Sequence, residues 1–258
     1  MKIFLTSIAI IFFAGSCMHK KIVYLQDKTE TTNQNVEYQN VPPEYTVKKG
    51  DLLYIDIFST NKEITEIFST SNTVNTNSQG SGMNYYYLYG YMVNDSGFIE
   101  VPIIGKIQVE GKLIKQIEEI VQQKTNEHLN NALVKVRLVS YYVTFLGEVT
   151  SQGKITVLQN NLNILDGLAM AGGITDYGNK KKVLLIRQTK NGAITYRLDL
   201  TDRNLLKQEK YYLLPNDMVI VEPLKNKAFQ LGVRDYTLIL TTITSTLTLI
   251  ILVTNSFK

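Results

Sequence analysis

The C-terminal part of the chain has 22 consecutive positions without a charged side chain, residues 236–257, and no other feature restricts the fold as strongly. At about 1.5 Å per residue, a helix of this length is ~33 Å long, which is enough to cross the core of a bilayer. In lipid, only an internally hydrogen-bonded helix or a closed barrel satisfies the backbone. The sequence therefore predicts a single membrane-spanning helix over residues 236–258, with Arg234, Asp235 and Lys258 at its two ends.

Polar side chains recur on one face of this predicted helix, which we call the threonine stripe. Its members Thr237, Thr241, Thr244, Thr248 and Asn255 are spaced by four, three, four and seven positions. Small hydroxyl side chains are common where helices contact one another in lipid. One interpretation is therefore a ring of helices whose stripes line a wet lumen or touch a neighbour. The alternative is a solitary anchor whose hydroxyls bond back to their own helix.

The first residues have the three-part form of a secretory signal. Lys2 supplies the positive charge, residues 3–13 are apolar, and residues 14–16 are small and precede Cys17. The apolar run is too short to span a bilayer as a helix. The sequence predicts a signal peptide over residues 1–16. Small residues followed by cysteine resemble the lipobox of bacterial lipoproteins, which implies lipid attachment to Cys17; the alternative is an ordinary signal peptide with an incidental cysteine.

Composition excludes several functional classes. One Cys and two His cannot supply an intrachain disulfide framework or the usual Cys/His zinc site. A net charge of +4 is too small to indicate a nucleic-acid-binding protein. The sequence contains no phosphate-binding loop and nominates no nucleophile with a neighbouring base. We therefore expect no enzyme activity, no catalytic residues, and no metal or cofactor.

Between the two membrane signals, the residue periodicity predicts an α+β body. Residues 17–41 are polar and are predicted to form a tether that leaves the membrane. The predicted elements are a strand after the Gly50-Asp51 turn, an amphipathic helix over 113–130, strands over 133–138 and 141–149, a helix over 164–171 capped by Asn163, and a hairpin of 183–187 with 194–198. A weak internal match aligns Gly50 with Asn216 and Asp51 with Asp217, which predicts two related strand–turn–strand closures.

Tyrosines are concentrated over residues 85–91. Because aromatic rings stack on the C–H faces of sugars, this cluster predicts a glycan-contacting surface. The alternative is a strand with aromatic side chains on both faces. The glycan-contact candidates are Tyr85, Tyr86, Tyr87, Tyr89 and Tyr91.

Several pieces in order along the chain resemble the Wza-like polysaccharide export family of outer-membrane lipoproteins. Residues 45–57 resemble its opening strand pair, residues 93–111 its Gly- and Pro-containing stretch, and residues 147–173 its SLBB β-grasp module. Two features depart from the family: Gln152 stands where proline is usual, and only one SLBB module is apparent. The structural turn residues that carry the resemblance are Gly50, Asp51, Gly97, Pro102, Gly105, Gly111, Gly147, Gly153, Gly172 and Gly173.

The resemblance implies a small mixed β-sheet export domain over 42–142, an SLBB-like β-grasp domain over 143–223, a linker over 224–235 and a single C-terminal transmembrane helix. It also implies a homo-oligomeric ring in the outer membrane, with a lipid on Cys17 and a periplasmic body. The ring would export capsular or extracellular polysaccharide as a passive conduit, with an inner-membrane co-polymerase as partner. An alternative is a monomeric, membrane-anchored glycan-binding or sensory lipoprotein that uses the tyrosine cluster.

Overall fold

A computed structural model of the chain describes residues 23–26, 37–59, 89–129, 131–189 and 191–256, except the side chains of 226, 228–237 and 251. The fold is mixed α/β, as predicted, with several sheets and a few helices. Buried apolar side chains form two cores, one drawn from residues 47–136 and the other from residues 141–221. We call the parts of the chain around these cores the first body and the second body. The predicted signal peptide and Cys17 lie outside the described residues.

The first body contains a three-stranded antiparallel sheet in the order β2-β1-β5. Its strands are β1 (Leu52–Phe58), β2 (Tyr91–Met92) and β5 (Leu133–Leu138). Burial alternates along β5 and most of β1, because successive side chains of a strand point to opposite faces and one face covers the core. The predicted strands in these two regions are confirmed.

The expected strand pair across the Gly50-Asp51 turn is wrong. Residues before the turn do not pair with β1; Thr46 forms an isolated bridge with Leu113 instead. The position beside the turn is taken by Val93, which accepts a hydrogen bond from Gly50 N at 2.9 Å and donates one to Asp51 O at 2.8 Å. Val93, directly after β2, therefore lies beside the Gly50-Asp51 turn, where the resemblance predicted the first strand of the pair.

A short hairpin and a helix complete the first body. The hairpin pairs β3 (Phe98–Val101) with β4 (Gly105–Gln108), which agrees with the small strands and tight turns expected there. Helix α1 (Ile114–Asn126) falls inside the predicted amphipathic segment. It buries Ile117, Val121 and Thr125 at intervals of four, so a single face of the helix covers the core.

Helix α1 also covers the free edge of β5. Glu118 Oε2 accepts from Val136 N at 3.0 Å, and Gln122 Oε1 accepts from Val134 N at 2.8 Å. The Gln122 amide donates to Ala132 O at 2.8 Å. Both side chains lie outside the apolar face of α1 that covers the core. They satisfy backbone groups that an edge strand would leave open to another chain.

The second body contains a five-stranded mixed sheet in the order β10-β9-β12-β6-β7. Strand β6 is parallel to β12, and every other neighbouring pair is antiparallel. The hairpin of β9 and β10 is confirmed and is longer than predicted. The strands are β6 (Tyr142–Gly147), β7 (Gly153–Thr156), β9 (Gly178–Thr189), β10 (Gly192–Leu198) and β12 (Met218–Pro223).

Helix α2 (Ile164–Met170) packs on this sheet and begins as predicted. Asn163 Oδ1 accepts from Asp166 N at 2.9 Å, which caps the helix, and Gly172 and Gly173 follow its end. Before the helix, β8 (Leu162–Asn163) pairs with β11 (Tyr212–Leu213). Two 3₁₀ helices, Arg203–Lys207 and Glu209–Tyr211, connect β10 to β11.

Candidate functional site

The most distinctive element for function is the C-terminal helix α3 (Asn226–Ser256). Its part from Leu238 to Ser256 is long and apolar enough to cross a membrane, judged by length and composition alone. In the single chain, the described side chains of this part are exposed, including Leu240, Leu249 and Leu252 at about two thirds of their maximal accessible area. Such an uncovered apolar helix is expected to find its burial outside the single chain, in lipid or against other copies.

The threonine stripe lies on this exposed helix. Thr241, Thr244 and Thr248 each donate their hydroxyl hydrogen to a backbone carbonyl one turn earlier, at 2.9, 3.0 and 2.6 Å. Thr242 and Thr246, which lie off the stripe, do the same. This is the bonding that a solitary anchor requires, but each hydroxyl oxygen keeps acceptor capacity for a neighbour or for water. Both interpretations of the stripe therefore stay predictions; Asn255 is also exposed, and the side chain of Thr237 is outside the described residues.

An ion pair fastens the start of α3 to the second body. Lys227 Nζ donates to Glu148 Oε1, and Thr175 Oγ1 donates to Glu148 Oε2 at 2.8 Å. The bond from Lys227, aided by the Thr175 hydroxyl, holds the pKa of Glu148 below its usual value. Beside this pair, Gly147 permits the close approach of β6 to β12, because a Cβ there would collide with the Val221 carbonyl oxygen.

The described parts of the predicted tether lie on the second body. Leu25 N donates to Leu200 O at 3.0 Å, Gln26 N donates to Thr201 O at 2.7 Å, and Asn40 Nδ2 donates to Leu206 O at 2.6 Å. Through these bonds, the described N-terminal residues lie alongside the part of the chain that follows β10.

This N-terminal segment comes close to the start of α3. Tyr24 lies with its ring centre 4.4 Å from Lys180 Nζ, near the beginning of β9. Three residues earlier, Tyr177 O accepts from Leu224 N at 2.7 Å, just before α3 begins. Three strand residues span about 10 Å, so Tyr24 and the start of α3 lie at the same end of the second body.

Two turns, residues 48–51 and 214–217, have the same construction; we call them the first turn and the second turn. The third residue of each has positive φ, +81° at Gly50 and +68° at Asn216. The closing aspartate of each accepts from the backbone N–H three residues earlier, at 2.8 Å in the first turn and 2.7 Å in the second. The internal match is confirmed for the two turns, whereas the strand–turn–strand arrangement predicted for both is wrong at the first turn, where the residues before it do not pair with β1.

The partners of the two aspartates differ. Asp217, 1% exposed, makes a two-pronged ion pair with Arg187, at 2.8 Å from Nη2 and 3.0 Å from Nε. Asp51, 3% exposed, accepts from the Tyr45 hydroxyl at 2.8 Å and from Ser140 Oγ at 3.3 Å. Burial raises the pKa of Asp51, and the Lys48 amide, these two hydroxyls and the Lys48 charge oppose the rise only in part. Burial raises the pKa of Asp217 as well, with Arg187 opposing it most directly.

The first turn lies where the chain crosses between the bodies. Ser140, between β5 and β6, accepts from Leu52 N at 3.1 Å while it donates to Asp51. Leu138 packs against both cores. The sequence did not identify Tyr45, Ser140 or Arg187; for Arg187, the signal was one cation inside the apolar run of β9.

The other predicted site residues fall as follows. Tyr91 begins β2, pairs with Leu53 and packs against the first core, so its burial raises the pKa of its hydroxyl. Tyr89 is half-buried, and Tyr85, Tyr86 and Tyr87 lie outside the described residues.

Gly97 precedes β3, Pro102 opens the β3–β4 turn that Gly105 ends, Gly111 precedes α1, Gly147 ends β6, and Gly153 begins β7. Within the described ranges, no three His, Cys, Asp or Glu side chains are grouped to hold a metal ion.

Comparison with known proteins gives two consecutive matches. The family described as "Polysaccharide biosynthesis/export protein" matches residues 39–139, and the SLBB domain matches residues 141–221. The EPS I polysaccharide export outer membrane protein EpsA of Ralstonia nicotianae (strain ATCC BAA-1114 / GMI1000) is 26% identical to the chain over 159 residues. The matched region is 58% of this chain and 40% of that protein, so it spans less than half of the relative's length.

Proposed function

Because the chain belongs to the Wza-like polysaccharide biosynthesis/export family, we propose that it is one subunit of an outer-membrane translocon for capsular or extracellular polysaccharide. The subunits form a homo-oligomeric ring, and the polymer passes through it without any bond being made or broken. An inner-membrane co-polymerase delivers the polymer to the ring. The observation that carries this proposal is the order of the parts: two family matches in sequence, followed directly by a helix long enough to cross a bilayer.

In this proposal, residues 42–142 are the export domain, residues 143–223 the SLBB-like β-grasp domain, and residues 224–235 the linker. The two separate hydrophobic cores support this division, because each unit has its own buried apolar side chains. The printed name of the relative, an outer membrane protein, supports placing the chain in the outer membrane.

The helix α3 suits an outer-membrane destination. Its threonines lower the hydrophobicity of the segment, which helps such a stretch to pass the inner membrane without being retained there. Each described threonine hydroxyl donates within the helix, so its hydrogen needs no partner from lipid. When copies assemble, the threonine stripe faces a neighbouring helix or the lumen, and the leucine and isoleucine side chains face lipid.

Both membrane attachments then lie at the same side of the second body. Cys17 is the lipidation site, and Val23 follows six positions later. A fully extended chain of that length spans at most about 20 Å. Because Tyr24 lies near the start of α3, the lipid reaches the leaflet that α3 enters. The lipid and the helix are therefore held by one membrane, with the body on its periplasmic side.

Imaging tests the oligomer directly. The full chain, purified from membranes in a mild detergent, is examined by negative-stain electron microscopy across a concentration series. We expect closed rings with a central stain-filled opening. Monomeric particles at every concentration would overturn the conduit and favour the monomeric glycan-binding or sensory lipoprotein.

A matched pair of substitutions tests the orientation of the stripe. Thr244 and Ile243 are neighbours at nearly the same depth of α3 but lie on different faces, about 100° apart. We expect Thr244→Asp to leave ring formation and membrane insertion largely intact, since a wet lumen accepts the charge. Ile243→Asp places the charge toward lipid and should lower insertion strongly. Equal loss for both variants, measured as carbonate-resistant membrane protein, would contradict a wet stripe.

A further inference from the structure

The five-stranded sheet of the second body has two outer edges, β10 on one side and β7 on the other. In the part of the chain that the structure describes, each of these strands is paired on one side only, β10 with β9 and β7 with β6. The residues of β10 are exposed except half-buried Tyr196 and buried Leu198. Such an edge is a template for another strand.

The register shows which residues of each edge point outward. Val157 N donates to Tyr141 O, so alternate residues of β7 bond to β6, and Lys154 points its backbone groups away from the sheet. The β9–β10 turn closes with Thr189 opposite Gly192 across two residues, and such a turn closes on a hydrogen-bonded pair. The outward residues of β10 are therefore Ala193, Thr195 and Arg197.

The two edges run in opposite directions. Strands β12 and β6 are parallel, and β7 is antiparallel to β6. On the other side, β9 is antiparallel to β12 and β10 is antiparallel to β9, so β10 has the direction of β12 and β7 has the opposite one. Copies in a ring share one orientation about its axis. The β10 edge of one copy therefore meets the β7 edge of the next copy antiparallel, which is the pairing with straight, paired hydrogen bonds.

Side chains select one register for this pairing. With Thr195 opposite Lys154, Ile194, which is 46% exposed, stands opposite Ile155, which packs against the second core. The same register places Arg197 opposite Gln152. A shift of two residues in either direction would separate the isoleucines. One of the two shifts would also place Arg197 opposite Lys154, and like charges directly opposite each other are destabilising.

We propose that β10 of one copy pairs antiparallel with β7 of the next copy, with Thr195 opposite Lys154, and that this head-to-tail contact builds the ring. The inference rests on the proposed oligomeric function and names the surface that makes it. The edge of β5 differs, since Glu118 and Gln122 already satisfy its backbone groups. Assembly through the second body therefore leaves the edge of β5 unpaired with other copies.

Cysteine cross-linking of the full chain in detergent tests the contact. Directly opposed residues in a hydrogen-bonded antiparallel pair have Cα atoms about 5.5 Å apart, which suits a disulfide. The variant carries Thr195→Cys and Lys154→Cys in one chain and is oxidised with copper phenanthroline. The first control carries Thr195→Cys alone, and the second carries Thr195→Cys with Lys115→Cys, a change at an exposed position of α1. The third control is the unmodified chain, which reports any cross-linked product formed through Cys17.

We expect a ladder of dimers, trimers and larger species from the Thr195/Lys154 pair, and monomer from the controls. Dimers from Thr195→Cys alone would overturn the proposal, because they report β10 paired with β10. Rings in the microscope without a ladder would overturn this contact and leave the conduit standing. Absence of both the rings and the ladder would overturn the conduit and the contact together.

Discussion

The first and second turns share one backbone design and differ in what compensates the buried aspartate. In the second turn, Arg187 supplies a full positive charge to Asp217 within the second body. In the first turn, Asp51 receives hydroxyl hydrogens from Tyr45 and Ser140. The two turns share the positive φ at the third residue and the hydrogen bond that the aspartate accepts from the backbone N–H three residues earlier. The remaining acceptor capacity of the carboxylate is free for a different task in each body.

The tasks differ because the locations differ. Asp217 pairs with Arg187 of β9, so it connects the start of β12 to the neighbouring strand of the second sheet. Asp51 bonds to Ser140, which lies on the crossing between the bodies, so it fixes the path of the chain there. The guanidinium partner makes the second turn the costlier one to disrupt.

Arg187→Met should have the largest effect. It removes the cation from Asp217 and leaves the carboxylate buried with its backbone partner. Breaking a buried ion pair from one side costs about 3–5 kcal/mol. We expect a loss of that order in the free energy of unfolding, measured by denaturant titration of the full chain in detergent and followed by tyrosine fluorescence. The double variant Arg187→Met/Asp217→Asn should recover part of the loss; a single variant as stable as the parent would show that Arg187 does not compensate Asp217.

Asp51→Asn should have a smaller effect at neutral pH. The amide keeps one acceptor oxygen, and the charge that it removes has only partial compensation. We expect a loss of about 1–2 kcal/mol from the same titration, as for a buried hydrogen-bond acceptor. Tyr45→Phe, which removes one donor and keeps the ring, is the control and should cost about 1 kcal/mol. A loss from Asp51→Asn as large as that from Arg187→Met would remove the distinction between the turns.

The pH dependence of the first turn has a definite sign. Burial raises the pKa of Asp51 in the folded state, so the folded chain binds its proton more readily than the unfolded chain does. The contribution of this group to stability is therefore present at low pH and is lost as pH rises through the folded-state pKa. The parent should gain stability relative to Asp51→Asn as pH falls below neutral, measured as the difference in Tm. A difference that stays constant or shrinks on acidification contradicts the assignment.

Gly50→Asn should have the smallest effect, because it copies the residue of the second turn into the first. A Cβ at Gly50 meets no atom within 4 Å, so only the backbone conformation resists a side chain. Asparagine tolerates positive φ better than most residues. We expect a loss below about 1 kcal/mol, whereas the matched Gly50→Val should lose more because its branched side chain disfavours this conformation. Equal losses from the two variants would show that the positive φ is not what the turn requires.

Much of the local structure could be predicted from the sequence. Asn163 caps α2 because its side chain reaches the amide three residues later, and this depends on neighbouring residues alone. The strands and the β9–β10 hairpin follow from alternation and a two-residue turn in the same way. The repeat of the two turns was visible because the same residues at the same spacing make the same local bonds.

The pairing of distant elements could not be predicted. Arg187 and Asp217 are 30 positions apart, and their contact depends on β9 and β12 being neighbours in the sheet. Glu118 and Gln122 lie outside the apolar face that the periodicity of α1 marks, and their bonds to the edge of β5 depend on how the helix packs. The contact of Val93 with the first turn also joins residues that are far apart in the chain, so the resemblance did not predict it.

The most direct test of the conduit is where the polymer goes when the chain is absent. In a strain with the gene deleted, polysaccharide on intact cells is compared with polysaccharide released after the outer membrane is opened, and the full chain is restored as a control. We expect loss of surface polymer with retention inside the envelope, and recovery on complementation. Unchanged surface polymer in the deletion strain would contradict it.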